Sequence, residues 1–480
     1  MSDTRTIAHN TISQVLARII ALLASFAVIP ILTRYLGPDL YGIYSLVLVL
    51  NSFLINFTDL GIQTIATREA SRRPEEAEFY SSQALLLRLI STLVIVAISI
   101  FVIFLTPYQE VIKVGFTIAA ASVIFNAIQA GLTVFLQARL KIYLASLADM
   151  IGRIASTAFI LLAIFLAAKL TLSKDAGLYL ILLGVGVGSA VAALGTLILS
   201  LRSRVFRARF DRDLAKAILR DSIPLWIVSI FSLVNYRIDT ILLSILKGPY
   251  DVGIYNLSYK LLDITLTFPA FFMSSVFPLL SRKLDDRPEF VNFARRAFDA
   301  MVFGAVPIGI GIFAIAPQTI AILGGAQFAA STQPLRILAI AGIFSFLSQF
   351  MIYMLVIKNQ QKILLAITVF VAATNIILNL IFIPSGSYNA AAVVTLISEI
   401  LMALLLFIAT MRVHRFRWHL STSARIILAA LAMLAVITFT PTQNVLLLIP
   451  LAAIVYLGSS YLLRAFDLQT VREILSRRPT

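Results

Sequence analysis

The chain has no cysteine, only three histidines and only two tryptophans in 480 residues. Without thiols there can be no disulfide, zinc–thiolate site or cysteine nucleophile. His9, His414 and His419 fall in polar segments and lack metal-ligand spacing, so no metal site is expected. Charge is also scarce, with Asp, Glu, Lys and Arg making up 13% of the residues. No convergent set of acid, base and nucleophile can be picked out, so the chain does not read as an enzyme and needs no cofactor. The glycine-rich run Val185-Gly186-Val187-Gly188 lies inside an apolar stretch, not between a strand and a helix. It is therefore read as a site of close helix packing and not as a nucleotide loop. Long polar segments are missing, and with them any sizeable soluble domain.

Apolar residues dominate, at 60% of the chain. Runs long enough to cross a bilayer recur from one end to the other, which predicts an all-α polytopic membrane protein. Fourteen spans are expected, near 11–33, 41–64, 81–106, 110–136, 143–168, 177–201, 223–246, 253–281, 298–324, 334–357, 362–383, 388–411, 425–440 and 444–463. The opening MSDTRTIAHN is polar and the run after it is long enough to remain as a span, so no cleavable signal is expected.

A net charge of +16 is compatible with nucleic acid, but its placement points to lipid. With the N-terminus assigned to the cytoplasm and the sides alternating, twenty-eight of the 39 basic residues fall inside and five outside. The inner set includes Arg68, Arg72, Arg73, Arg139, Lys141 and the cluster from Arg202 to Arg220; the outer set is Arg34, Lys113, Lys169, Lys174 and Lys247. That asymmetry predicts both termini in the cytoplasm. Trp226 and Trp418 fall near the same boundary, where indole prefers to sit.

An internal repeat divides the chain. LGPDLYGIYSL from Leu36 and KGPYDVGIYNL from Lys247 align without gaps at an offset of 211, matching Gly37/Gly248, Pro38/Pro249, Gly42/Gly253, Ile43/Ile254 and Tyr44/Tyr255. The offset covers six spans, an even number, so the halves share one orientation about an axis along the membrane normal. Between them, RSRVFRARFDRDLAKAILRDS sets Leu214, Ile218 and Leu219 against Arg and Lys, the pattern of a short amphipathic helix on the membrane surface. The expected divisions are a first lobe at 1–201, a linker at 202–222, a second lobe at 223–412, and two further spans with a tail at 413–480.

Charges inside the spans are costly and normally face protein or water. The cations are Arg18, Arg88, Arg153, Arg237 and Lys260; the anions are Asp59, Asp149, Asp239, Asp263 and Glu399. Asp149 and Arg153 at i,i+4, and Lys260 and Asp263 at i,i+3, can pair along one helix. Arg18, Arg88 and Arg237 have no obvious helical partner, and Arg237 and Asp239 at i,i+2 point to different faces. Each charge is either half of a structural ion pair or a group facing a polar interior. Glu399 either carries a proton or cation or bonds Asn375 or Asn379 on the neighbouring span.

Several stretches resemble one known family. SIPLWIVSIFSLVNYRIDTILLSILKGPYDVGIYNLSYKL from Ser222 resembles the start of the second half of bacterial polysaccharide flippases, and ILTRYLGPDLYGIYSL from Ile31 their first hairpin. TIATREASRR from Thr64, FLQARLKIY from Phe135 and NIILNLIFIPSGSYNAAAVVTLISE from Asn375 are similar to further segments of the same proteins, in order. These flippases belong to the multidrug/oligosaccharidyl-lipid/polysaccharide exporter superfamily. The resemblance implies two six-helix lobes around a central cavity plus two C-terminal helices. It also implies alternating-access transport of an undecaprenyl-pyrophosphate-linked oligosaccharide across the bacterial inner membrane, for O-antigen or a related surface polysaccharide.

On that reading Arg18, Arg88, Arg153, Arg237 and Lys260 bind the substrate, because a guanidinium grips phosphate bidentately and keeps its charge. Asp239 and Glu399 couple transport to a proton or cation. The partners implied are the lipid-linked oligosaccharide, membrane lipids, and polysaccharide polymerase and chain-length proteins, with no nucleic acid. A cation-coupled multidrug exporter of the same superfamily is the alternative. A polysaccharide polymerase or ligase would need the large outer loops that this chain lacks.

Overall fold

Every regular element in the computed structural model is helical among the described residues, which are 3–201, 210–284, 286–414, 421–440, 442 and 444–465. Side chains are described from residue 26 onward, apart from 74 and 201. The helices are α1 Asp3–Asp59, α2 Ile62–Arg72, α3 Ala77–Leu105, α4 Glu110–Ala138, α5 Ile142–Lys169, α6 Lys174–Leu201, α7 Arg212–Leu246 and α8 Pro249–Thr265. They continue as α9 Thr267–Arg282, α10 Arg287–Ala314, α11 Ala316–Leu323, α12 Thr332–Ile357, α13 Gln361–His414, α14 Ser421–Phe439 and α15 Val445–Leu462.

Twelve helical stretches are long and apolar enough to cross a membrane. Two of them are double. The first is broken at Gly37 (φ 70°) and α13 at Ser387 (φ 48°), which gives the fourteen segments expected. Proline explains two finer interruptions. Pro269 has no N–H for the Thr265 carbonyl, and the eighth span accordingly splits into α8 and α9. Pro317 does the same to Phe313, and the ninth splits into α10 and α11.

The sequence repeat is also a repeat of backbone. Gly37 has φ 70° and ψ 175°; Gly248 has φ 100° and ψ −176°. Both positions lie in a region that glycine reaches without steric cost, and each is followed by a proline that opens the next helix. The same turn is thus built twice from the same dipeptide.

The described chain falls into two compact units, Met1–Arg237 and Ile238–Thr480, with the division inside α7. In the first unit, α3 packs on α4, and α4 and α5 both pack on α6. Gly188 fits the close-packing expectation, since a Cβ there would fall 2.8 Å from the Gly152 carbonyl oxygen. Gly186 does not, for nothing lies within 4 Å of its Cβ position. In the second unit α12 is the central helix, packed by α8, α9, α10 and α13, with Phe346, Phe350, Met354 and Leu355 buried on it.

One expectation is corrected. Residues 202–209 of the predicted surface linker lie outside the described residues, but the rest of it, from Arg212, continues without a break into α7. Its apolar stripe does not face lipid. Ile218 is buried in a cluster with Ile62, Ile65, Ala66 and Ala70 of α2, and Leu214 and Leu219 pack against that cluster. Two apolar stripes on neighbouring segments cover each other, and the surface expected to meet the bilayer is spent on protein contact.

Candidate functional site

In the first unit Arg88 is buried and Arg153 exposed. Arg88 on α3 is 3% exposed. Its guanidinium pairs with Asp59, the last residue of α1, and also donates to the Gln63 Oε1 at 3.2 Å. One turn on, the Ser91 hydroxyl donates to the Thr58 carbonyl at 2.7 Å. The positive charge thus meets both a carboxylate and the electronegative end of α1, where carbonyls have no helical donors. Arg88 fastens α3 to the α1–α2 turn instead of standing free to meet a ligand. The sequence reading missed this pair because its members are 29 residues apart.

Asp149 and Arg153 pair along α5 as their spacing predicts, at 3.0 Å, with side chains 46% and 57% exposed. Leu147, Ile151, Ile154, Leu161, Leu162 and Phe165 are also exposed on this helix. At about 100° per residue, these apolar side chains centre roughly 140° around the helix from the ion pair. Helix α5 therefore has one apolar exposed face, suited to lipid, and a separate charged one. Arg237 is half-buried on α7, its guanidinium 4.8 Å from the Tyr236 ring centroid. In the second unit Lys260 is half-buried on α8. The Arg18 side chain lies outside the described residues.

The second unit contains a buried polar cluster that the sequence reading recognised only in part. Asp239 is 3% exposed, and its carboxylate accepts from the Tyr255 hydroxyl on α8 and, at 3.2 Å, from the Thr395 hydroxyl on α13. The Tyr255 and Thr395 hydroxyl oxygens are themselves 3.0 Å apart, so either can exchange its bond to the carboxylate for one to the other. The next backbone N–H, of Thr240, donates to the other Asp239 oxygen at 2.7 Å, and the Thr240 hydroxyl reaches Asn256 at 3.3 Å. Nearby on α13, Asn375 donates to Ser398 and Asn379 to Asn375, both at 2.9 Å, while the Asn379 amide oxygen is enclosed with no donor. Carboxylate, hydroxyl and amide oxygens in this density suit a proton or a hard cation. No group of three or more His, Cys, Asp or Glu gathers anywhere among the described residues.

Glu399 is half-buried, within hydrogen-bonding reach of Ser345 on α12. The alternative partners considered for it, Asn375 and Asn379, are instead bonded to Ser398 and to each other. Tyr255 and Thr395 are the residues the sequence reading left out. A signal for Tyr255 did exist, since it stands in the repeated Gly-Ile-Tyr motif; Thr395 could have been found only as the residue one turn before Glu399.

Residues 7–283 match the family described as polysaccharide biosynthesis protein. The chain belongs to that family. A relative of similar length, the probable low-salt glycan biosynthesis flippase Agl15 of Haloferax volcanii, is 24% identical over 396 residues, covering 82% of this chain and 81% of that one. Among solved structures, the lipid II flippase MurJ in an inward closed conformation superposes with a TM-score of 0.77, covering 98% of this chain and all of its own at 19% identity. An inward-facing multidrug resistance MATE transporter of the MOP superfamily gives 0.64, covering 84% and 95% at 14% identity. At these identities the structural likeness is one of fold. What is shown is membership of the polysaccharide biosynthesis family and a fold of membrane-length helices shared with those two transporters.

Proposed function

We propose that the protein moves an undecaprenyl-pyrophosphate-linked oligosaccharide across a bacterial inner membrane by alternating access, with both termini cytoplasmic, for O-antigen or another surface polysaccharide. Polysaccharide polymerase and chain-length proteins would then take the product onward. The observation that carries this reading is the exposed charged face of α5. Arg153 sits there in mid-span, away from the apolar face of its helix and more than half exposed. An ion pair at that depth is costly against hydrocarbon, and a passing diphosphate would compete with Asp149 for the Arg153 guanidinium. Arg237, near the middle of α7, is proposed to contribute in the same way, with Arg18 and Lys260; the geometry of Arg88 fits a structural post instead. Asp239 is the proposed coupling group, with Glu399 as a second candidate.

Reconstituted vesicles test the reading. Arg237→Lys is expected to keep part of the rate of lipid-linked oligosaccharide flipping, because charge survives while the bidentate fork is lost. Arg237→Ala should abolish flipping in a protein that still folds and inserts. Normal flipping by Arg237→Ala would remove Arg237 from the site. The second reading, a cation-coupled multidrug exporter, is favoured by the buried oxygen cluster around Asp239. It predicts ion-driven movement of organic cations by the wild type and none of the lipid-linked sugar.

A further inference from the structure

The second unit holds one more intramembrane cation, Arg336, to which neither the sequence reading nor the proposed transport assigns a role. It lies in the second turn of α12, just after the short 3-10 helix Ala326–Ser331. The side chain is half-buried, with its guanidinium carbon 5.6 Å from the centroid of the Phe313 ring on α10. Its Nε is fully enclosed and donates to no acceptor. No acidic side chain pairs with it among the described residues, and sequence makes a local one impossible: between Asp299 and Glu399 the chain contains no Asp or Glu.

The helix does not help either. A cation near an α-helix N-terminus faces the positive end of the dipole. The arginine is thus a half-buried positive charge at the edge of its span, the level of lipid headgroups, with no acidic partner among the described residues. On α11, which packs beside α12, Gln318 presents a second orphan, an enclosed Oε1 with no donor. The two ends of a glutamine amide exchange by a half-turn, so the same position can offer an N–H₂. Ile322 on that helix is 51% exposed, an apolar contact for a lipid chain at this end of the unit.

We propose that Arg336, with Phe313 behind it and Gln318 on the neighbouring helix α11, binds the phosphate of a membrane lipid. Phosphate oxygens accept only, carry the missing charge, and arrive on an apolar anchor that suits the surroundings. The phosphate is either the diphosphate of a polyprenyl carrier or the phosphodiester of a bulk phospholipid. The site does not depend on the transport reading above, because a bulk phospholipid would fill it in a protein that flips nothing.

Native mass spectrometry of the full chain, titrated in detergent, tests this with three probes: undecaprenyl diphosphate, dioleoyl phosphatidylglycerol and uncharged dioleoylglycerol. Arg336→Gln is expected to weaken at least one phosphate-bearing lipid by about tenfold or more, the scale of a lost charge-assisted hydrogen bond, and Arg336→Lys by less. Dioleoylglycerol should bind all three proteins alike. A loss confined to the diphosphate assigns the site to the carrier; a loss confined to phosphatidylglycerol assigns it to bulk lipid. Binding of both phosphate lipids to Arg336→Gln at wild-type strength overturns the proposal, as does an equal loss of dioleoylglycerol. If Arg336→Gln does not purify as a folded species, Gln318→Leu replaces it, with a severalfold loss for the same lipid expected and unchanged binding refuting the site.

Discussion

Truncating Arg88 should damage the fold before it damages transport. The guanidinium is 3% exposed and bonded to Asp59 and Gln63, so Arg88→Met leaves a carboxylate with its counter-charge gone. Breaking a buried pair from one side costs about 3–5 kcal/mol. The Asp59 side chain keeps 29% of its exposure, so partial hydration or protonation should hold the loss near the lower end, about 3 kcal/mol. Asp59→Asn alone should also destabilise, because it strands the more deeply buried partner. Removing both charges is the discriminating case. Arg88→Met with Asp59→Asn should recover to within about 1 kcal/mol of the wild type, since a buried pair contributes little net stability over a neutral replacement. Denaturant unfolding of the four purified proteins in one detergent gives the coupling directly. Flipping measured in vesicles at a temperature where all four are folded completes the test. Wild-type stability of Arg88→Met together with abolished flipping, unrescued in the double variant, would show that Arg88 touches substrate.

Three further outcomes are expected. Gly61 has φ 72° and a Cβ there would stand 2.7 Å from the Ser222 carbonyl oxygen, so Gly61→Ala should cost about 2–4 kcal/mol in unfolding experiments; a change within experimental error would mean that α7 is not seated on the α1–α2 turn. Asp239→Asn should remove the response of transport to imposed sodium or proton gradients while leaving the protein folded, and an undiminished response to both gradients would exclude Asp239 from coupling. Because the chain has no native cysteine, single cysteines at 325–333 can be labelled cleanly, and an impermeant reagent should reach them only from outside; labelling only from the cytoplasm would invert the topology.

The helices were legible because a span is a local property. An apolar run long enough to cross lipid announces itself, and α5 at Ile142–Lys169 falls within a residue of the expected 143–168. Local chemistry was legible too: Asp149 and Arg153 are one turn apart, and their spacing alone forecast the pair. What sequence could not show were the encounters between distant residues. Asp239 meets Thr395 across 156 residues and Arg88 meets Asp59 across 29, so each charge read alone looked available for function. The amphipathic stretch around Ile218 failed for a related reason. A stripe of apolar residues reveals that something covers it, but not whether the cover is lipid or the matching stripe of α2.

The doubled Gly-Pro turn has an implication for ancestry and for stoichiometry. Two halves that keep the same left-handed glycine after a long separation point to a gene duplication whose backbone has outlasted its side chains. Tyr255 has kept its counterpart, Tyr44, but at the same offset the position of Asp239 is held by Val28, which is apolar and buried. The inherited frame is twofold, while the carboxylate has been gained or retained on one side only. On the coupling proposed for Asp239, this position would serve one ion per cycle rather than a symmetric two.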